Sequence, residues 1–408
     1  MSSRLLKPEN RITVCDLHCA PCGNLELPLQ VQVYSDFSNL PEFFQLLFEE
    51  VGSKSVYLTL PWFKNFAKSA LNSSDQIRIY GVTGSHQDRR PKGLFAGKIT
   101  VKGTGFFSLR KLSSLSNYYS PLFAPHLVGS ENEKRETVRA LTRAIGAEKP
   151  RWDAVELKPL DVDSQAFALL VQELSAAGFV VQTYLSAGNW YEPVNGRSYS
   201  GYFQSLRSSV RNIAKSKNKK IDRSGRVRYE IITGENGLEA AIAAYNQVYS
   251  ASWKVPEPYP EFIPSMIRMC GEQRTLRLGL AYVDGQPAAS QVWIVHSGIA
   301  SIYKIAYDQK FRDLSIGTYL TTKLMEYVMD VDRVNEVDYL TGDDNYKKDW
   351  MSKRRERWGI LALNPRTPRG AIAIARHVGG RSAKRAALSL MDRFRTSAKK
   401  PVDSQAGV

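Results

Sequence analysis

The chain has 408 residues, a formal net charge of +16, and 43% hydrophobic against 24% charged residues. This composition excludes wholesale disorder, and the length predicts two or three domains, since one hydrophobic core rarely serves more than about 250–300 residues. The positive charge should attract phosphates, nucleotides, nucleic acid or anionic lipid, but it does not predict a fold.

The chain begins with a cysteine cluster. Cys15, Cys19 and Cys22 follow the spacing C-x3-C-x2-C beside His18. Radical-SAM enzymes hold an iron–sulfur cluster with this spacing, and Cys/His clusters also suit zinc. No long series of β/α units follows, so we favour a reduced strand and turn and expect no metal.

Apolar periodicity predicts an α/β order of elements in the first half. The predicted elements are a strand at Leu29–Tyr34, helices at Leu40–Glu50 and Pro61–Leu71, strands at Ile77–Val82 and Gly93–Val101, a helix at Asn132–Ala147, a strand at Ala154–Lys158, a helix at Ser164–Ala177 and a strand at Phe179–Leu185. A segment rich in Gly, Ser, Asn and Pro, Trp190–Ser200, is the predicted junction with the second half.

The second half repeats this order. Its predicted elements are a helix at Gly201–Lys217, a strand at Val227–Ile232, helices at Leu238–Ser252 and Glu261–Cys270, strands at Arg277–Val283, Ala288–Val295 and Ile299–Ala306, a helix at Gly317–Met329, a strand at Glu336–Leu340, a short helix from Asn345 and a strand at Trp358–Leu363. The repetition predicts two copies of one α/β (α+β) unit, each with a mixed sheet.

A phosphate-binding loop is predicted after the strand at Ile299–Ala306. The loop reads Arg312-x-x-Ser315-x-Gly317 and opens a helix with apolar residues at helical spacing. Unpaired amides and the positive dipole end of a helix bind a pyrophosphate well. The candidate donor-binding residues are therefore Arg312, Ser315, Ile316, Gly317 and Thr318, against the alternative of an ordinary helix start.

A polar segment follows the strand at Glu336–Leu340. From Asp338 to Trp350 it reads D-Y-L-T-G-D-D-N-Y-K-K-D-W, which brings acids, a phenol and an ammonium to the carboxyl end of a strand. Ligand crevices of open α/β sheets form at such ends. In the structural alternative, Asp338 or Asp343 caps the next helix and Tyr346 packs with Trp350 in the core.

Both segments resemble the GNAT superfamily, whose acyl-CoA loop reads R/Q-x-x-G-x-G/A. Ser315 replaces the first glycine of that loop. The Asp338–Trp350 segment resembles the CelD-like branch, which is linked to cellulose and exopolysaccharide synthesis, and this branch is similar to Fem-type peptidoglycan aminoacyl-ligases with two GNAT-like units. The resemblance covers Tyr202–Leu363 well and the first half in outline.

The resemblance implies a fold of tandem GNAT-like domains and an acyltransferase. Its co-substrate would be acetyl-CoA or another acyl-CoA, and its acceptor an amine or hydroxyl of a saccharide or cell-envelope precursor. Asp343 or Asp344 would accept the proton of the nucleophile, and Lys347 would stabilise the oxyanion or hold a phosphate. Tyr346 would protonate the thiolate, as a tyrosine does in many GNAT enzymes. We name Asp343, Tyr346 and Lys347 as the candidate catalytic residues.

Two further segments are candidates for acceptor binding. Arg207 and Arg211 recur on one face of a basic helix, where they face either an anionic acceptor or solvent. Trp253 and Tyr259 lie in a Pro-rich run that either lines an acceptor pocket or makes a rigid turn. The sequence leaves these alternatives open.

We divide the chain into four parts: residues 1–27 with the cysteine cluster, a GNAT-like domain at 28–192 without a recognisable CoA loop, a GNAT domain at 193–365 with the loop, and a basic tail at 366–408. The first domain would shape the acceptor cleft, because Gly129–Asn132 before its long helix contains no arginine. Apolar residues between Arg381 and Arg395 would share one helical face, a pattern compatible with an anionic membrane surface.

The chain is expected to be cytoplasmic, with peripheral contact at the inner membrane surface as the alternative suggested by the tail. No apolar run approaches the roughly 20 residues needed to span a bilayer. The opening sequence MSSRLLKPENR also lacks the apolar core of a secretory signal. Two other functions stay open: a Fem-like ligase that uses aminoacyl-tRNA, and a non-catalytic basic module that binds nucleic acid or membrane on a degenerate GNAT scaffold.

Overall fold

The computed structural model describes residues 29–85, 90–102 and 108–377. The cysteine cluster at Cys15–Cys22 and the amphipathic stretch Arg381–Arg395 lie outside these residues. Among the described residues, no helix is long and apolar enough to cross a membrane.

The strands and helices follow the predicted order closely. The strands are β1 (Gln30–Tyr34), β2 (Gln76–Thr83), β3 (Pro91–Lys102), β4 (Leu109–Ser114), β5 (His126–Leu127), β6 (Ala154–Asp161), β7 (Val180–Pro193), β8 (Val227–Ile232), β9 (Leu276–Val283), β10 (Gln286–His296), β11 (Ile299–Tyr307), β12 (Glu336–Thr341) and β13 (Lys353–Leu363). The helices are α1 (Phe43–Gly52), α2 (Leu60–Ser69), α3 (Glu131–Ala147), α4 (Gln165–Ala176), α5 (Tyr199–Ser205), α6 (Ser208–Ser224), α7 (Leu238–Ser250), α8 (Phe262–Glu272), α9 (Ile316–Glu326) and α10 (Lys347–Trp350).

One 13-stranded mixed sheet runs through both halves. Its order is β1-β2-β3-β4-β6-β13-β7-β12-β11-β10-β9-β8, with β5 paired to β3 at the side. Each half contains an antiparallel meander that ends in a parallel pair, β4 with β6 in the first half and β11 with β12 in the second. This repetition confirms the predicted tandem arrangement of mixed α/β units.

The two halves are joined by an exchange of strands. The last strand of the second half, β13, lies between β6 and β7 of the first half. Strand β7 in turn pairs with β12 along its second part, from Asn189 to Pro193. The predicted junction at Trp190–Ser200 therefore begins inside a strand that both halves share.

Four sequence predictions were wrong in detail. The strand predicted at Phe179–Leu185 continues to Pro193, and the strand predicted from Trp358 begins at Lys353, because each pairs with the other. The helix predicted at Gly201–Lys217 breaks at Leu206, whose ψ of 153° is extended. Strand β4 was missed because its Lys and Ser residues conceal the apolar alternation.

The core joins the two halves as well. The Trp62 ring of α2 packs edge-to-face on Phe262 of α8, with ring centroids 5.7 Å apart, and both side chains are fully buried. After β13, Asn364 donates a hydrogen bond to the carbonyl of Trp152 at 2.9 Å, and residues 368–377 are helical. Asn364, two residues before the predicted tail, thus anchors the end of β13 to the first half.

Candidate functional site

A cleft opens between β11 and β12. The two strands pair only from Ile299 to Ser301 and then diverge, so in the described structure the remaining backbone of β11 pairs with β10 alone. We call the resulting space the strand cleft; it has a volume of about 220 Å³. It is lined by Tyr118, Tyr119, Pro121, Lys254, Ile302, Tyr303, Lys304, Ile305, Tyr339, Leu340, Thr341, Asp344, Tyr346 and Lys347.

The amino terminus of α9 lies beyond the open end of β11. Ser315 precedes the helix with a φ of 57°, and no side chain caps the first turn. The amides of Ile316, Gly317 and Thr318 have no acceptor within the helix. A Cβ on Gly317 would lie 3.2 Å from the Tyr307 ring at the end of β11, so this turn fits closely over the strand.

Buried Gln291 fixes the first turn of α9 against the sheet. Its Nε2 donates to the carbonyl of Gly317 at 3.0 Å and to the hydroxyl of Thr321 at 2.8 Å. Its Oε1 accepts a hydrogen bond from Trp293 Nε1 at 2.9 Å. These bonds hold the first turn of α9 in place against the sheet through a carbonyl and a hydroxyl, and use none of its amides.

The corresponding helix of the first half is closed to anions. Ser130 caps α3, and the Glu133 carboxylate accepts the Ser130 amide at 2.8 Å. That hydrogen bond, together with one from Lys92, lowers the pKa of Glu133 to about 2. The start of α3 therefore already has a side-chain cap and a negative charge, which would repel a phosphate.

The first half also lacks the cleft. Strands β4 and β6 pair over three residues, as β11 and β12 do. Beyond them, the hydroxyls of Ser114 and Ser116 both donate to the carbonyl of Lys158 at 2.6 Å and bridge the gap. Only the second half combines an open cleft with an uncapped helix among the described residues.

Lys347 lies buried at the carboxyl end of β12. Its ammonium donates to the carbonyls of Tyr339 at 3.1 Å and Thr341 at 2.7 Å. Burial lowers the pKa of Lys347, although nearby Asp344 and Asp338 act in the opposite direction. The cleft therefore contains a fixed cation at its wall.

A bulge in β12 brings these carbonyls together. Leu340 has a φ of 56°, a left-handed conformation that is strained for leucine. The bulge is held because the Leu340 amide donates to Asp338 Oδ1 at 2.6 Å and its carbonyl accepts from Asn189 Nδ2 at 3.0 Å. Strain of this kind is found most often at functional sites.

Tyr346 and Asp344 stand beside Lys347 at the mouth of the cleft. Tyr346 is 41% exposed and packs edge-to-face on Tyr339, with centroids 5.7 Å apart. Burial, followed by the charge of Asp344, raises the pKa of Tyr346 to about 12. The phenol is therefore protonated at neutral pH, while Asp344 lies 3.7 Å from the Lys347 ammonium.

Glu257 organises the opposite wall. Its carboxylate accepts hydrogen bonds from Lys304 at 2.6 Å, Tyr249 at 2.7 Å and Tyr119 at 2.7 Å, and from the Tyr118 hydroxyl. Burial raises the pKa of Glu257, but these hydrogen bonds outweigh it and lower the value to about 2. Glu257 is thus a permanent anion that holds residues of both halves around the cleft.

The comparisons with known proteins agree with this geometry. Residues 208–348 match the family model of the acetyltransferase (GNAT) domain. This stretch is about a third of the chain and contains the strand cleft's β11 and β12, the loop and α9. None of the curated proteins compared with the chain matches it.

Three solved structures are similar to this chain, and the match to FemX supports a shared fold. FemX is 12% identical with a TM-score of 0.52, and the match covers 75% of this chain and 92% of FemX. A tandem GNAT protein from the clavulanic acid pathway is 13% identical with a TM-score of 0.44, over 83% of this chain and all of the other. The C-terminal domain of a putative lysylphosphatidylglycerol synthetase from Agrobacterium fabrum is 10% identical with a TM-score of 0.44, over 70% and 85%.

The structure brings some of the predicted site residues together in the region that matches the GNAT family model. Lys347 and Tyr346 line the strand cleft, and Arg312 lies exposed in the turn before α9. Asp343 does not line the cleft and instead forms an ion pair with Arg354 at 2.8 Å. Its neighbour Asp344 takes the place in the lining.

The predicted acceptor residues lie farther out. Arg211 donates to the carbonyl of Gln204 at 2.6 Å at the end of α5, and Arg207 lies 3.6 Å from Asp349. Trp253 packs on Tyr307, with centroids 4.6 Å apart, beside the phosphate loop. The Tyr259 hydroxyl donates to Asn72 at 2.7 Å and joins the two halves.

Sequence reasoning missed several residues of the cleft. Lys304 carried a signal, since it is a lone charge in the apolar strand Ile299–Ala306. Tyr118 and Glu257 carried none, because they meet across 139 positions of sequence. Gln291 also carried no signal, because a polar residue at such a position is ordinary in a half-buried strand.

Proposed function

We propose that the chain is an acyltransferase that moves an acyl group from acyl-CoA to an amine or hydroxyl. The observation that carries the proposal is the uncapped first turn of α9 at the open end of the strand cleft, with Lys347 and Tyr346 in its wall. Amides of Ile316–Thr318 would hold the pyrophosphate, with Arg312 adding charge. The unpaired edge of β11 would bind the extended arm of the donor.

The residues of the cleft have separable roles in this proposal. The Lys347 ammonium stabilises negative charge that develops on the acyl carbonyl oxygen. Asp344 accepts the proton of the attacking amine or hydroxyl, in preference to Asp343, whose carboxylate is engaged by Arg354. Tyr346 gives its proton to the departing thiolate.

The acceptor is proposed to be a saccharide or a cell-envelope precursor, as in exopolysaccharide synthesis. The aromatic side chains of Tyr118 and Tyr119 in the strand cleft support this, because aromatic faces pack well on sugar rings. The first half supplies both of them. It would thus shape the acceptor side while the second half holds the donor.

A Fem-like ligase with aminoacyl-tRNA as donor is the second candidate. The basic helix α6 favours it, since Lys217 of this helix donates to the Asp313 carbonyl in the phosphate loop at 3.2 Å. Salt-sensitive tRNA binding without acetyl-CoA binding would select this candidate, because phosphate contacts weaken steeply with salt. Salt-sensitive binding of unspecific nucleic acid, again without acetyl-CoA binding, would select the non-catalytic basic module.

Thiol release tests the first candidate. Acetyl-CoA and a panel of amino sugars are incubated with the full chain and with Lys347→Met, and free CoA is measured. We expect acceptor-dependent release that falls about a hundredfold or more in the variant. An equal rate in both proteins would contradict the proposed site.

A further inference from the structure

A second pocket lies between the halves, next to the strand cleft. It has a volume of about 180 Å³ and shares Pro121 and Leu340 with the cleft. Lys54 and Tyr57 enter it from the first half, and Arg357 enters from the exchanged strand β13. We call it the inner pocket.

Two buried side chains in the inner pocket have polar atoms that make no hydrogen bond in the described structure. Arg357 is 6% exposed, and its Nε and Nη1 make no hydrogen bond. Its Nη2 makes one long bond to Asn189 Oδ1 at 3.3 Å. The hydroxyl of Tyr57, also 6% exposed, makes none.

The nearby acids approach Arg357 without accepting a hydrogen bond from it. Asp338 and Glu336 both accept from Arg355 Nη2, at 2.6 and 2.7 Å. Asp161 lies 3.5 Å from Arg357 Nη1, and its side chain is 45% exposed. Asp161, Asp338 and Glu336 therefore offset the charges of Arg355 and Arg357, but Arg357 Nε and Nη1 still lack a hydrogen-bond acceptor.

A buried guanidinium with unused donors is unfavourable. Buried polar groups without hydrogen-bond partners are rare in native structures, because such groups lose their bonds to water without replacing them. Burial and the adjacent charge of Arg355 lower the pKa of Arg357, whereas Asp338, Asp161 and Glu336 act in the opposite direction. A bound oxyanion would supply the missing acceptors.

We infer that the inner pocket binds an oxyanion of the acyl acceptor, a carboxylate or a phosphate, through Arg357 and Tyr57. This inference rests on the proposed function and narrows its acceptor to an anionic one. The strained Leu340 separates the two spaces, so an acceptor anchored here would extend past it to present its amine or hydroxyl in the strand cleft. Lys54 would add positive charge at the mouth.

Calorimetry with inorganic phosphate and with acetate tests the inference. Each anion is titrated into the full chain saturated with CoA, so that the α9 site is already occupied. Tyr57→Phe is the test variant. Tyr245→Phe is the matched control, because its hydroxyl is also buried without a partner but lines neither space.

We expect at least one of the anions to bind the wild type and Tyr245→Phe equally. It should bind Tyr57→Phe about tenfold or more weakly, and Arg357→Gln not measurably. Binding of phosphate alone would assign a phosphorylated acceptor, and binding of acetate alone a carboxylated one. Neither tyrosine variant should lower the melting temperature, since neither lost hydroxyl has a partner.

Two results would overturn the inference. One is that neither anion binds the wild type, which would make the inner pocket a hydrated cavity. The other is equal binding by Tyr57→Phe and Tyr245→Phe. Acetyl-CoA titrated into the same proteins beforehand reports on the proposed function separately, since its binding should not depend on Tyr57.

Discussion

Asp343 and Arg354 form a bidentate ion pair, with Nε 2.8 Å from Oδ1 and Nη2 2.9 Å from Oδ2. These hydrogen bonds lower the pKa of Asp343. An acid held by two hydrogen bonds is a weak base, while Asp344, one residue on, lines the strand cleft 3.7 Å from the Lys347 ammonium and makes a single, longer ion pair. The two neighbouring carboxylates are therefore expected to behave differently.

Asp344→Asn should lower kcat about a hundredfold, the typical contribution of a general base. Asp343→Asn should leave kcat nearly unchanged and cost less than about 1 kcal/mol of stability, because the ion pair is largely exposed. Steady-state kinetics and urea denaturation of both variants measure these effects. The opposite ranking of the two kcat values would return the base to Asp343.

Lys347→Met should reduce kcat and stability together. The ammonium stabilises the carbonyls of Tyr339 and Thr341, and losing a buried partner costs about 1–3 kcal/mol for each group. Lys348→Met is the control, since Lys348 is exposed and should be near neutral. Circular dichroism melts measure the loss of stability, and thiol-release kinetics measure the loss of activity. A fully active Lys347→Met would exclude a role of Lys347 in stabilising the oxyanion.

Gly317→Ala should weaken acetyl-CoA binding about tenfold. The added methyl would meet Tyr307 at 3.2 Å and tighten the turn that presents the amides. Gly146→Ala in α3 is the matched control, because its methyl would make an ordinary contact with Phe179 at 3.5 Å. Calorimetry should give the wild-type Kd for the control. An unchanged Kd for Gly317→Ala would contradict the proposal that this loop binds the pyrophosphate of acetyl-CoA.

Glu257→Gln should destabilise the protein in a pH-dependent way. The folded-state pKa of about 2 is below the ordinary value of 4.5, so this carboxylate stabilises the fold above pH 4.5 and loses its effect as the pH falls toward 2. The difference in unfolding free energy from wild type should be about 3 kcal/mol at pH 7 and shrink in acid. Glu261 is exposed, so Glu261→Gln should not change the pH dependence of stability. A pH-independent difference for Glu257→Gln would refute the low pKa assigned to Glu257.

The local parts of the fold were predictable from the sequence. The strand at Ile299–Ala306, the helix after Gly317 and the polar segment after Leu340 each follow from short-range periodicity and turn chemistry. The exchange of β7 and β13 was not predictable from the sequence, because strand pairing across more than 160 positions leaves no local signal. We predicted that β7 ends at Leu185 because polar residues follow it. These residues continue the strand: they pair with β13, and from Asn189 onward the strand also pairs with β12.

The residues of the site also differ in whether the sequence alone could predict them. Lys347 and Tyr346 were found because they lie in one contiguous segment, whereas no local pattern marks Arg357 as a buried residue. Its burial depends on β13 lying between β6 and β7. Long-range packing, not residue type, decided its environment.

The central claim is that the first turn of α9 and the strand cleft bind an acyl-CoA donor. Titration of acetyl-CoA into the folded full chain tests it most directly. We expect saturable binding of one molecule per chain that persists in Asp343→Asn and weakens in Gly317→Ala. No measurable heat of binding with any acyl-CoA, from protein that still melts cooperatively, would contradict the account.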